Sequence, residues 1–272
     1  MKDIFRNSFS RNIFHNKYAQ GPNDTLHNLA IRLVDDVCGT AGGTTSPILS
    51  KTEREYLVQL IAELKFIPGG RYLYYAGRPL HFWNNCYLLR AEEDTREEWA
   101  AVTGRSMSAL MSGGGIGVDY SRLRASGRQL KRTGGTASGP IPLMYAINEV
   151  GRNVMQGGSR RSAIYASLNW QHDDIESFLV AKDWQNQKIH EGYSVWDAKN
   201  DNFNFHAPLD MTNISVNYDD AWGFDPNAEV FKSNVRQAMM TGEPGFSFNF
   251  GEKENETLRN ACTEVTSEDD SD

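Results

Sequence analysis

Gly113-Gly114-Gly115-Ile116-Gly117-Val118-Asp119-Tyr120 sets three consecutive glycines before a short apolar run. It reads as a turn in which something approaches the backbone closely, followed by a short strand. Working outward, the pattern on both sides alternates. Upstream, Phe82 to Leu89 reads as a buried strand with Cys86 near its start, and a helix runs from about Thr95 with Glu98 as a capping box, through Trp99, Val102, Met107 and Leu110. Downstream, Pro140 opens a helix through Met144, Ile147 and Val154, and a strand follows from Ala163 to Leu168. Then come a helix around Asp173 to Lys182, a loop-rich stretch from Asp183 to Asp210 and a strand from Asn213 to Asn217. A helix from about Pro226 to Met240 and a strand from Phe246 to Phe250 complete the series. Helices alternating with short buried strands imply a parallel sheet and an α/β fold, and no Ser/Thr/Pro-rich linker divides the chain.

The N-terminal part differs. A helix is expected around Leu26 to Val37, ending at Cys38, which reads as structural, before the loop Gly39 to Thr45. A second helix carries the capping box Thr52/Glu55 and places Tyr56, Leu57, Leu60, Ile61 and Leu64 at helical spacing, with Pro68-Gly69-Gly70 as its stop. The aromatic segment Arg71 to Gly77 reads as irregular.

The chain has 272 residues, 39% of them apolar, and a net charge of −7. That length supports a sizeable core, and the charge argues against general binding to DNA or to anionic membranes. Three cysteines far apart fit a reducing compartment and give no CxxC spacing. Neither an apolar signal segment nor a run of about 18 apolar residues occurs, so the chain reads as soluble and cytoplasmic. The six histidines have no ligand spacing such as HExxH, and no metal is assigned.

Two stretches carry chemistry. In Asn260-Ala261-Cys262-Thr263-Glu264, an extended backbone would turn an amide, a thiol and a carboxylate to one face. That is the outline of a reaction centre, although the pentapeptide alone is more simply read as a small buried Cys262 beside a solvated Glu264. Between Ser121 and Pro140 lies a glycine-punctuated basic loop with Arg122, Arg124, Arg128, Lys131 and Arg132, and a second such loop, Gln156-Gly157-Gly158-Ser159-Arg160-Arg161-Ser162, follows the next helix. Exposed N–H groups, a helix N-terminus and arginines make an anion cradle. A flexible solvated loop is the competing reading, since neither GxxxxGK[ST] nor GxGxxG is complete.

Taken together, Asn84 to Leu88, Gly113 to Gly117, Ser121 to Arg124, Thr133 to Pro140, Gln156 to Arg161, Asn213 to Val216 and Asn260 to Glu264 resemble the catalytic chain of ribonucleotide reductases. The likeness is greatest to the adenosylcobalamin-dependent class II enzymes and runs in order from about Ile67 to Glu264, leaving residues 1 to 50 uncovered. The resemblance implies the first half of a ten-stranded α/β barrel over residues 66–272, ending in the approach to a finger loop and preceded by a helical region over residues 1–65. It further implies that Cys262 carries the thiyl radical, that Glu264 acts as base on the 3′ hydroxyl, and that Asn260 orients that carboxylate and the substrate. Cys86 becomes one of two reducing thiols, beside Asn85, and Gly115 meets the substrate with its backbone. Asp94, Arg124, Arg132, Gly157, Gly158, Arg160 and Arg161 fall to a nucleoside triphosphate effector and its relay to the substrate base.

Two departures stand out. Ile67 occupies a position where some relatives carry a threonine, and the substrate-phosphate loop, second reducing cysteine and C-terminal cysteine pair do not occur before Asp272. The resemblance implies a reductase that works with adenosylcobalamin and takes its remaining strands from a second polypeptide, this chain being the N-terminal half of a split enzyme or the portion before an intervening element. The two-loop pattern leans to diphosphates over triphosphates, as in a ribonucleoside-diphosphate reductase, and to a dimer as the complete unit. A half-barrel is expected to leave an apolar inner face and sheet edges uncovered. The competing functional classes are a regulatory nucleotide-binding module without catalysis and a purely structural subunit.

Overall fold

The computed structural model describes residues 4–39, 48–131, 134–154, 162–253, 256–263 and 266–267. The chain forms two compact units, Met1–Asn84 and Asn85–Asp272.

The first unit is helical: α1 Ser8–Ile13, α2 Leu26–Cys38, α3 Lys51–Ala62 and α4 Gly70–Tyr75. Its core joins Ala30, Leu33 and Val34 of α2 to Val58 and Ile61 of α3 and to Ala76. Arg54 of α3 forks onto the Asp35 carboxylate of α2 at 2.7 and 2.8 Å. The capping box is Ser50/Glu53 rather than Thr52/Glu55. Ser50 Oγ accepts from the Glu53 amide, and the Glu53 carboxylate accepts from the Ser50 amide at 2.9 Å, so the helix begins earlier than its apolar spacing indicated. Tyr56 faces solvent, and the helix ends at Ala62, before the proline, with Leu64 in a left-handed conformation (φ 58°). The aromatic segment expected to be irregular is largely α4.

The second unit contains β1 Cys86–Arg90, α5 Arg96–Met111, β2 Gly115–Asp119, α6 Ile141–Asn153, β3 Ile164–Asn169 and α7 Ile175–Leu179. After these come the small hairpin β4 Lys188–His190 and β5 Tyr193–Ser194, then α8 Val195–Asp201, β6 Thr212–Tyr218, α9 Glu229–Thr241 and β7 Gly245–Phe248. The final pair is β8 Leu258–Arg259 and β9 Thr266–Ser267. Thr95 caps α5 by accepting from the Glu98 amide, but the Glu98 carboxylate turns to Arg105 and the Glu92 amide, so only half of the expected box forms. The stretch expected to be loop-rich holds β4, β5 and α8, the last begun by a true capping box between Ser194 and Asp197.

Strands β1, β2, β3, β6 and β7 form one parallel sheet in that spatial order, each new strand added on the same side of the last. This is the α/β architecture expected, an open half of a barrel with β1 and β7 at its edges. Register sorts the side chains into two faces. On one, Ile116, Val118, Ile164, Ala166, Leu168, Ile214, Val216 and Tyr218 are buried against Val102 and Leu110 of α5, Met144 and Ile147 of α6 and Phe178 of α7. Each such aliphatic side chain contributes about 1.5–3 kcal/mol by leaving water. The other face carries Cys86, Leu88, Arg90, Gly115, Gly117, Asp119, Tyr165, Ser167, Asn169, Asn213, Ser215, Asn217 and Ser247. This inner face was expected to be apolar; apart from Leu88 it is largely polar or glycine, and Asp119, Ser167 and Asn217 bond to one another across the strands.

Candidate active site

Strands β8 and β9 pair as an antiparallel hairpin. Leu258 pairs with Ser267 and Arg259 with Thr266, and the Thr263 amide donates to the Asn260 carbonyl at 3.0 Å to close a turn. Thr263 takes φ 68°, a left-handed conformation that costs a β-branched residue on the order of 1–2 kcal/mol. Over residues 260–263 the extended run expected is replaced by this turn. Asn260 is buried at 2% exposure and Ala261 at 5%, while Cys262 is exposed at the tip of the turn. Glu264 lies outside the described residues.

Two glycines of β2 seat this hairpin on the inner face. A Cβ on Gly117 would stand 1.6 Å from the Arg259 carbonyl oxygen, and one on Gly115 would stand 2.9 Å from Cβ of Ala261. The absence of side chains at these alternating positions thus serves the chain's own packing. Gly115 is also the register partner of Cys86, and its amide donates to the Asn85 carbonyl at 2.8 Å. Ala261 thus lies against Gly115, the register partner of Cys86, with Asn260 and Cys262 on either side of it in the chain. No disulfide joins Cys38, Cys86 or Cys262.

The inner face beyond the hairpin is a hydrogen-bonded sheet of side chains. Buried Asp119 Oδ1 accepts from Ser121 Oγ at 2.7 Å, Ser167 Oγ at 2.9 Å and Asn217 Nδ2 at 3.0 Å, linking β2, β3 and β6. Tyr165 sits beside Gly117, and burial pushes its phenol up despite the opposing pull of Ser215, Ser247 and Arg259. A cavity of about 880 Å³ opens at the carboxyl ends of the five strands, lined by Arg90, Asp119, Asn169, Asn217 and Asn249 and by the basic residues Arg122, Arg124 and Arg128.

On the other side of the basic loop lies a second cavity, of about 870 Å³, lined by Asp94, Thr95, Trp99, Arg124, Lys131, Thr136 and Gly139 among others. Arg124 pairs through Nε with the Asp94 carboxylate and donates from Nη2 to the Asp94 carbonyl at 2.9 Å. Two of the residues assigned to an effector are thus brought together in a basic, partly apolar hollow that can take a base and phosphates. Arg132, Gly157, Gly158, Arg160 and Arg161 lie outside the described residues.

Sequence reasoning missed Gly117, Arg259 and the inner polar row. The signal for Gly117 was present, since two glycines separated by one residue in a strand share a face and admit another backbone. Arg259 carried none, because its partners Ser247 and Asn249 are ten and more residues away.

Residues 84–221 match the family described as the ribonucleotide reductase barrel domain. The chain is 33% identical over 136 residues to the vitamin B12-dependent ribonucleoside-diphosphate reductase of Mycobacterium tuberculosis, covering 50% of this chain and 20% of that protein. It is 30% identical over 193 residues to the enzyme of the same description from Thermoplasma acidophilum, covering 70% of this chain and 25% of the relative. The ribonucleoside-diphosphate reductase large subunit of vaccinia virus is 33% identical over 124 residues, 45% of this chain and 16% of that one. The chain thus spans a quarter or less of the length of these relatives.

Proposed function

Because this chain belongs to the ribonucleotide reductase family, we propose that it supplies the first five strands and the radical-bearing hairpin of an enzyme that reduces ribonucleotides to 2′-deoxyribonucleotides, a second polypeptide supplying the remaining strands. The observation that carries this reading is the seating of Arg259–Ala261 on Gly115 and Gly117, which sets the Cys262 turn above the row that begins with Cys86.

In this reading a thiyl radical on Cys262 abstracts the 3′ hydrogen of the substrate. Glu264 takes the 3′ hydroxyl proton, which eases departure of the 2′ hydroxyl as water, and Asn260, buried at the base of the turn, orients both. Cys86 and a second thiol from the remaining strands supply two electrons and become a disulfide. Cys262 then recovers its hydrogen from the product radical. A thiol that must be reached by a radical source has to be accessible, and the exposed position of Cys262 at the turn fits that demand. Adenosylcobalamin, in keeping with the B12-dependent relatives, supplies the initial radical when bound. Diphosphates are the proposed substrates, and the complete unit is proposed to dimerise.

The hollow lined by the Asp94–Arg124 pair and Lys131 is proposed to hold a nucleoside triphosphate effector, with Lys131 and Arg132 assigned to its phosphates. Gly157 to Arg161 relay its identity to the substrate base.

The test is to assay this chain alone and with a polypeptide carrying the remaining strands, using ribonucleotide, adenosylcobalamin and dithiothreitol. Deoxyribonucleotide is expected only from the mixture. Multiple turnover by this chain alone would overturn the half-barrel reading.

A further inference from the structure

We propose that Arg259 is a positioning residue that fixes the height and tilt of the Cys262 turn by anchoring it to the far edge strand of the sheet; this rests on the reading of Cys262 as radical carrier. The backbone of Arg259 lies against β2, where its carbonyl oxygen occupies the space a Gly117 side chain would fill. Its guanidinium reaches β7. Nε donates to Ser247 Oγ, and Nη2 donates to the Phe248 carbonyl at 3.2 Å and to Asn249 Oδ1 at 2.8 Å.

β2 and β7 are separated by β3 and β6 in the sheet. Across a flat sheet the two would be roughly 14 Å apart, farther than one arginine spans from its own backbone, so the side chain acts as a chord across a curved face. The hairpin itself is weak: β8 and β9 are two residues each, and the turn contains the left-handed Thr263. A short strained hairpin keeps one geometry only when its surroundings hold it. Here β8 is seated on two glycines below, Thr266 Oγ1 of β9 donates to the Glu256 carboxylate at 2.6 Å, and the Arg259 guanidinium ties the hairpin sideways to β7. Ser247 and Asn249 are themselves 3% and 1% exposed, which makes the anchoring end rigid and shields its bonds from water. The residue adjoining the clamp in the chain is Asn260, and Cys262 follows two positions later, so a shift at Arg259 passes directly into the turn.

The experiment replaces Arg259 with Gln and with Lys, and Ser247 with Ala, in the complete reductase, and measures two quantities. The first is turnover and KM for the ribonucleotide. The second is amide hydrogen exchange at Thr263, whose N–H closes the turn, against exchange in β6 as an internal reference. Arg259→Gln is expected to lower kcat by about tenfold or more with KM within about twofold. It is expected to accelerate Thr263 exchange by about tenfold while β6 is unchanged. Arg259→Lys recovers part of both effects, and Ser247→Ala shows the same pair more weakly, which keeps the test open if Arg259→Gln does not fold. Unchanged turnover, or lost turnover with unchanged Thr263 exchange, overturns the positioning role. Cys262→Ser is run beside them: if that variant still reduces ribonucleotide, the radical-carrier reading itself has failed, an outcome separable from a failure of the clamp alone.

Discussion

Gly117 and Arg259 meet backbone to backbone: the carbonyl oxygen of Arg259 stands 1.6 Å from where a Cβ on Gly117 would be. A strand residue thereby becomes part of the seat of a hairpin more than a hundred residues later. The same geometry orders the consequences of filling each glycine.

Gly117→Ala should be the more disruptive substitution, because the clashing atom is backbone that cannot rotate away. Overpacking of this kind costs on the order of 1–3 kcal/mol, here expressed as lifting of the hairpin from the sheet. Gly115→Ala meets a methyl group at 2.9 Å and should cost less. Denaturant unfolding of both variants checks the order, and equal stability of Gly117→Ala and the parent protein would contradict the packing described.

Arg124→Ala removes the guanidinium that pairs with Asp94 at the rim of the second cavity. Loss of a charge-assisted contact to phosphate is worth about 1.5–3 kcal/mol, so triphosphate binding should weaken by about tenfold or more. Titration calorimetry with nucleoside triphosphates reads this directly, and unchanged affinity would remove the cavity from effector binding.

Asp210 is held by Arg152 and Lys199, with its side chain 3% exposed. Burial works against its charge, but the hydrogen bonds from Arg152 and Lys199 prevail and keep the carboxyl below its ordinary value of 3.8. A depressed folded-state pKa contributes stability that is fully present above 3.8 and lost as pH falls through the lower folded value. The node should therefore be insensitive to pH between neutrality and about 4. Asp210→Asn should cost about 1–3 kcal/mol at pH 7, since it removes the shared carboxylate of two half-buried cations while Arg152 keeps Glu149 and Lys199 keeps the Phe205 carbonyl, and the gap to the parent should close in strong acid. Urea unfolding at pH 7 and in strong acid tests both, and a gap that widens on acidification would contradict the sign.

The alternation of helices and strands was legible because each strand is short, apolar on at least one face and bounded by glycine or polar loops, as in Gly113–Asp119 and Ala163–Asn169. The polar inner face was also written in the sequence: Tyr165, Ser167 and Asn169 alternate with Ile164, Ala166 and Leu168, and Asn213, Ser215 and Asn217 with Thr212, Ile214 and Val216. It was obscured by the general expectation that parallel strands are apolar on both sides. The turn at Asn260–Thr263 was not legible, because what bends it is a left-handed threonine and contacts with Gly115, Gly117 and β7. Cys86, Gly115, Asn260 and Cys262 were assigned together only through the family resemblance, and the structure seats Ala261 on Gly115, the register partner of Cys86.

The most direct test of the account is the Cys262→Ser variant in the complete reductase, assayed for deoxyribonucleotide formation beside equilibrium nucleotide binding. The account predicts no detectable turnover with nucleotide affinity within about twofold of the parent, because only the radical-bearing atom has changed. Ribonucleotide reduction by the serine variant at a rate comparable to the parent would contradict it.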